Sequence, residues 1–189
     1  MRYFSILLLL FLSSCIQMVG DPEPVNYYLI EGLPKGTEIY SDKELTIDIQ
    51  LINFPTYLDR PQIITQKDNT VKFSEHDRWA EPLQGNLEQV LRENLRILLL
   101  GAKVTISPWE DSGTKSIHAK IMVNKFSGKL SDHTDVDIRW TIKMDTGEIH
   151  QGHFIDRQPV GEKYRNLVGG LNRSINNFSL ILAKNLSSE

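Results

Sequence analysis

Paired cysteines are the first thing this sequence lacks. Its one cysteine, Cys15, leaves no internal disulfide to form. An unbroken apolar run long enough to cross a membrane is missing too. The longest ends at Leu12, where Ser13 and Ser14 intervene, well short of the roughly 20 residues a spanning helix needs. Charge of one sign is not in excess, with 21 basic against 24 acidic residues and a formal net charge of −3. The basic stripe of a nucleic-acid binder is absent, as is a polybasic cluster for anionic lipid. No G-x-S-x-G elbow, H-E-x-x-H pair or phosphate-cradling glycine loop occurs. Without a nucleophile-and-base pattern, the chain is expected to be non-enzymatic and to need no cofactor or metal.

What is present begins at the N-terminus. One cation, Arg2, precedes the apolar residues 6–12, and the small residues Ser13 and Ser14 lead to Cys15. That is the layout of a secretory signal peptide. Leu12-Ser13-Ser14-Cys15 resembles the lipobox of bacterial lipoproteins. The resemblance implies cleavage between Ser14 and Cys15, with covalent lipid on the cysteine. A lone thiol in a secreted chain is thereby put to use. One acyl chain anchors only marginally, at ~0.8 kcal/mol per buried methylene, whereas the two or three chains of a lipoprotein anchor stably. Ile16 stands where inner-membrane lipoproteins often carry Asp, so the expected address is the outer membrane, facing the periplasm. Removing residues 1–14 takes away Arg2 alone among the charged residues, leaving 20 basic against 24 acidic and a net charge of −4. Residues 15–24 then form the lipidated N-terminus and a tether, whose nine residues after the cysteine reach ~30 Å at most.

Residues 25–189 are read as one domain of ordinary size. Strands are expected over 25–30, 45–51, 63–66 and 70–74, the last two joined by a turn at Asp68-Asn69. A helix should follow Pro82, with Leu87, Val90, Leu91, Leu95, Leu98 and Leu99 at helical spacing and Gly101 as its cap. A strand over 103–107 follows. Residues 117–124 and 135–144 alternate apolar and polar side chains, the pattern of an antiparallel sheet with one wet face. Asp145-Thr146-Gly147-Glu148 turns the chain into a further strand over 149–155. A long amphipathic helix from about 161 carries the stripe Tyr164, Leu167, Val168, Leu171, Ile175, Phe178 and Leu182. Gly169-Gly170 in its middle signals a kink or a close backbone contact. The expected class is α+β: a mostly antiparallel sheet with two main helices on one face.

Three polar groupings invite chemistry and have plainer readings. His150 and His153 stand three apart on a strand and so point to opposite faces, away from any shared metal. A calcium loop from Asp132 would need Gly and Glu where Asp137 and Lys143 stand. The Asn-x-Ser sequons at Asn172, Asn177 and Asn185 fall on the last helix and read as polar helix positions.

One stretch asks for more than a structural account. Tyr57-Leu58-Asp59-Arg60-Pro61-Gln62-Ile63 precedes a strand, and Trp79-Ala80-Glu81-Pro82-Leu83 opens a helix bearing Asn86, Val90-Leu91 and Asn94-Leu95. Together they resemble the paraquat-inducible protein C family, auxiliary lipoproteins of ABC-type and MCE-type transport. The likeness runs over essentially the whole chain. It implies a binding component of the envelope whose partners are a tunnel-forming MCE-domain protein and an integral inner-membrane protein, in a system that moves lipid or maintains membrane integrity. A homo-oligomeric ring is a further implication. The candidate contact residues are Tyr57, Leu58, Asp59, Arg60, Pro61, Gln62, Trp79, Glu81 and Pro82. Two rival functions remain open at this stage: a carrier holding an acyl chain between sheet and helices, and an envelope hydrolase, which would need His76 or His118 beside a buried carboxylate.

Overall fold

The computed structural model describes residues 23–37, 40, 44–106 and 117–187. Cys15, Ser14 and most of the tether lie outside the described residues. The chain runs β1 (Asn26–Tyr28), β2 (Thr46–Asn53), a single 3₁₀ turn (Thr56–Leu58), β3 (Gln62–Lys67), β4 (Thr70–Trp79) and α1 (Leu83–Leu98). It continues with β5 (Lys103–Ile106), β6 (Ile117–Gly128), β7 (Thr134–Lys143), β8 (Ile149–Asp156) and α2 (Tyr164–Ser187).

The α+β class holds, and the sheet is divided. A five-stranded sheet has the order β5-β2-β6-β7-β8, and a three-stranded one the order β1-β4-β3. Hairpins β3–β4, β6–β7 and β7–β8 are antiparallel as the alternation predicts. Pairings of β2 with β5 and β6, and of β1 with β4, are parallel. Both sheets are therefore mixed. Parallel neighbours need a crossover, and α1 supplies one between β2 and β5.

The alternation decides where the core sits. Ile47 and Ile49 of β2, Ala119 and Ile121 of β6, and Ile138 and Ile142 of β7 are buried on one face. Against that face α1 lies over β2 and β5, and α2 over β6, β7 and β8. Leu87, Leu91 and Leu95 of α1 and Leu171, Ile175, Phe178 and Leu182 of α2 complete the core. Phe154 of β8 meets Phe178 with ring centroids 5.4 Å apart, within the range for favourable aromatic pairs.

Helix α1 ends at Leu98, and Gly101 follows in a left-handed conformation (φ 91°). Gly170 explains the mid-helix glycines. A Cβ there would stand 2.7 Å from Thr134 Cγ2 of β7, so the close backbone contact is real. Gly169 faces open space, with the Arg173 guanidinium 3.7 Å away.

Two asparagines of the helix signature fasten the segment after β1. Asn86 Oδ1 accepts from the Ile30 backbone N–H (2.7 Å), and its Nδ2 donates to the Ile30 carbonyl (3.3 Å), like a strand partner. Asn94 Oδ1 accepts from the Leu33 N–H (2.7 Å), while its Nδ2 donates to Asn176 Oδ1 and Ser179 Oγ of α2, each at 2.9 Å. These side chains give a loop the backbone partners that buried N–H and C=O groups require.

Candidate functional site

The two signature segments converge. After β2 the chain makes its 3₁₀ turn because Leu58 is drawn inward (2% exposed), and the Leu58 N–H donates to the Pro55 carbonyl at 2.9 Å. That turn leaves Asp59 and Arg60 outside. Pro61 cannot donate to a ladder, but its carbonyl accepts from the Trp79 N–H at 2.7 Å. One residue on, the Ala80 N–H donates to the Tyr28 carbonyl at 2.8 Å. The end of β4 is thus bracketed between Pro61 on one side and β1 on the other. Asp59, Arg60, Pro61, Trp79, Ala80, Glu81 and Pro82 enclose a notch of about 290 Å³.

The sequence-derived candidates divide by position. Asp59, Arg60, Pro61, Trp79, Glu81 and Pro82 line the notch. Leu58 is core, Gln62 pairs with Arg78 in the small sheet, and Tyr57 is half-buried beside Gln66, whose Nε2 donates to its hydroxyl at 3.4 Å. Burial raises the Tyr57 pKa. Trp79 is only 5% exposed, so its ring forms the floor and its bulk belongs to the core. Arg60 is paired neither with Asp59 nor with a carbonyl among the described residues. Its guanidinium carbon stands 4.5 Å from the ring centroid of Phe73, an exposed residue that nothing in the sequence had marked. Arg60 keeps its charge over that ring and is exposed like Asp59 and Glu81, so the rim carries one guanidinium and two carboxylates. The notch is an apolar floor of Trp and Pro with a charged rim.

Among the described residues each carboxylate paired with a histidine is at least partly exposed. His76 lies 3.3 Å from Glu23 and 3.8 Å from Glu75, both solvent-exposed. His118 Nδ1 lies 3.5 Å from Asp48 Oδ2, whose side chain is 22% exposed. The Thr105 hydroxyl also donates to Asp48, so the carboxylate rather than the imidazole carries the hydroxyl, the reverse of a base-activated nucleophile. His150 pairs with Glu148 at 3.1 Å, and His153 with Asp137 at 3.0 Å. Among the described residues no group of three metal-ligating side chains converges, and no helix is long and apolar enough to cross a membrane.

Solved structures share this fold. A crystal structure of an uncharacterized protein superposes with a TM-score of 0.71 at 19% identity, covering 87% of this chain and 99% of that one. A Xanthomonas campestris protein of the DUF330 family gives 0.67 at 9% identity, over 86% and 94%. The PelC dodecamer from Paraburkholderia phytofirmans reaches only 0.41 at 10% identity, over 84% and 95%, too distant to bear on assembly. No curated protein matches the sequence. A family model described as "ABC-type transport auxiliary lipoprotein component" matches residues 27–183, from β1 through nearly all of α2. The likeness drawn from the two signature segments is borne out, and the chain belongs to the family of ABC-type transport auxiliary lipoprotein components.

Proposed function

We propose that this chain is a lipid-anchored accessory protein of an MCE-type transport system, docking its tunnel-forming partner through the notch between Pro61 and Pro82. It acts by binding and positioning, without catalysis. The observation that carries the reading is the convergence. Two segments unusual in composition, 57–63 and 79–83, send Leu58, Ile63 and Leu83 into the core and meet around one depression lined by residues 59–61 and 79–82. Trp79 and the two prolines supply a rigid apolar seat, and Asp59 and Glu81 supply charge for steering and register. Cys15 carries the covalent lipid, and Ile16 sets the outer membrane as the address. The integral inner-membrane protein is reached through the tunnel, and several copies arranged as a ring would present several notches to one partner.

An acyl-chain carrier would need space between sheet and helices, and Ile121, Ile138, Leu171 and Phe178 fill it. The test is co-purification of the tunnel-forming MCE-type protein with the tagged, lipidated chain. Capture that falls when Asp59→Lys and Glu81→Lys are combined, with the circular dichroism spectrum unchanged, supports the notch. Undiminished capture by that variant removes the notch from the interface.

A further inference from the structure

The helices cover one face of the five-stranded sheet, and on the other His118, Lys120, Arg139, Lys143 and His153 are exposed. Across that face the register sets out rows of side chains. Asp48, His118, Lys143 and Ile149 stand abreast, then Gln50, Lys120, Thr141 and Gln151, then Met122, Arg139 and His153. Two adjoining depressions of about 420 and 280 Å³ lie over these rows and share Lys120 and Thr141.

The charge of this face runs against that of the chain. Its carboxylates are already engaged. Asp48 takes the Thr105 hydroxyl and faces His118; Asp135 pairs with Lys125 at 3.0 Å; Asp137 accepts from Asn124 at 2.8 Å and lies 3.0 Å from His153. Lys120, Arg139 and Lys143 form no ion pair among the described residues. A protein of net charge −3 thus gathers three cations around a central hydroxyl, with Arg139 also within electrostatic reach of Asp137. Beside them stand the exposed isoleucines Ile52 (47%), Ile149 (62%) and Ile155 (60%).

We infer that this face docks on the anionic phospholipid headgroups of the membrane that holds the chain. Phosphates sit among Lys120, Thr141, Lys143 and Arg139, and the isoleucines enter the boundary between headgroups and acyl chains. The inference rests on the anchor assigned to Cys15. A tether of ~30 Å or less keeps the domain permanently beside a plane of lipid phosphates, which an acidic soluble partner would not match in local concentration. Apolar side chains rimming a cationic centre suit a surface that is charged outside and oily beneath.

The experiment uses the full, lipidated chain on vesicles of phosphatidylcholine, with or without phosphatidylglycerol, and reads lysine acylation by mass spectrometry. With phosphatidylglycerol, Lys120 and Lys143 should lose reactivity several-fold while Lys35 and Lys163, off this face, keep theirs. High salt should restore it, because screening shortens the reach of the surface potential. Arg139→Glu should weaken the protection while leaving both reporter lysines in place. Unchanged Lys120 and Lys143 on a chain that floats with both kinds of vesicle overturns the inference and leaves the anchor standing. A chain that floats with neither overturns both, and one that floats only with anionic vesicles upholds the face without the anchor. Protection by glycerol phosphate or polyglutamate on neutral vesicles, with none from phosphatidylglycerol, overturns the inference in favour of a soluble anion or an acidic polypeptide.

Discussion

Exchanging Gly169 and Gly170 for alanine, one at a time, separates helix propensity from packing at adjacent positions of α2. In a helix interior Ala is favoured over Gly by about 1 kcal/mol. At Gly169 nothing opposes that gain, since a Cβ meets only the end of Arg173 at 3.7 Å. Gly169→Ala should therefore stabilise by up to about 1 kcal/mol, raising Tm by about 2–4 °C for a chain of this size. At Gly170 the same Cβ would stand 2.7 Å from Thr134 Cγ2, 3.4 Å from Val160 Cγ2 and 3.5 Å from Gln158 Cβ. Thr134 cannot yield by turning about χ1. It is buried and β-branched, and its hydroxyl accepts from the Gln158 N–H at 2.8 Å. Overpacking costs about 1–3 kcal/mol, and breaking that hydrogen bond about 1 kcal/mol more. Set against the propensity gain of about 1 kcal/mol, Gly170→Ala should destabilise by about 1–3 kcal/mol. Urea unfolding followed by circular dichroism, at equal m-values, reads both. Shifts of the same sign, or two midpoints that coincide, would refute the packing of α2 on β7.

Other consequences are as definite. Asn94→Leu strips the Leu33 N–H, Asn176 and Ser179 of a partner, and should cost about 2–4 kcal/mol in the same unfolding assay; amide exchange should speed up at Leu33 before the sheet opens. Trp79→Ala should cost about 3–5 kcal/mol because the ring is core, so capture lost with that variant reports unfolding unless its midpoint is measured alongside. Burial works to raise the Asp137 pKa, yet hydrogen bonds from Asn124 and His153 prevail and hold the carboxyl below the usual carboxylate range. A carboxyl lowered in the folded state contributes stability that is full above its unfolded pKa of about 3.9 and is lost as pH falls through the folded value. Unfolding titrations between neutral and acid pH should show that loss, and Asp137→Asn should flatten it. An identical acid slope in the variant would refute the assignment.

Much of this architecture was legible along the chain because it is local. The alternation through Ile117, Ala119 and Ile121 and through Val136, Ile138 and Trp140 gave β6 and β7 their faces, and the Met144 N–H to Glu148 carbonyl bond (2.8 Å) closes the turn read at 145–148. Both helices lie where leucine spacing put them. The partition into two sheets was not legible. It depends on β2 pairing in parallel with β5 and β6, and on β1 pairing with the far end of β4, and no local pattern encodes such remote partners. The same limit hid what the signature asparagines do: Asn86 and Asn94 stand out as part of the helix signature, while their partners Ile30 and Leu33 lie 56 and 61 residues earlier. For the candidate site, composition marked the right segments but not each residue's fate. Leu58 and Trp79 turned inward, whereas Asp59, Arg60 and Glu81 remained outside. The cationic outer face went unmarked because Lys120, Arg139 and Lys143 are scattered over two strands and gather only through the cross-strand register.

The central claim is tested most directly by the affinity of the lipidated chain for its tunnel-forming MCE-type partner, measured before and after Asp59→Lys with Glu81→Lys. Both side chains are exposed, so the fold should survive the reversal. Opposed charge at the seat should weaken binding by about tenfold or more, equivalent to ~1.4 kcal/mol, with the larger change in the association rate at low salt. Equal affinity of the reversed and natural chains would contradict docking through this notch.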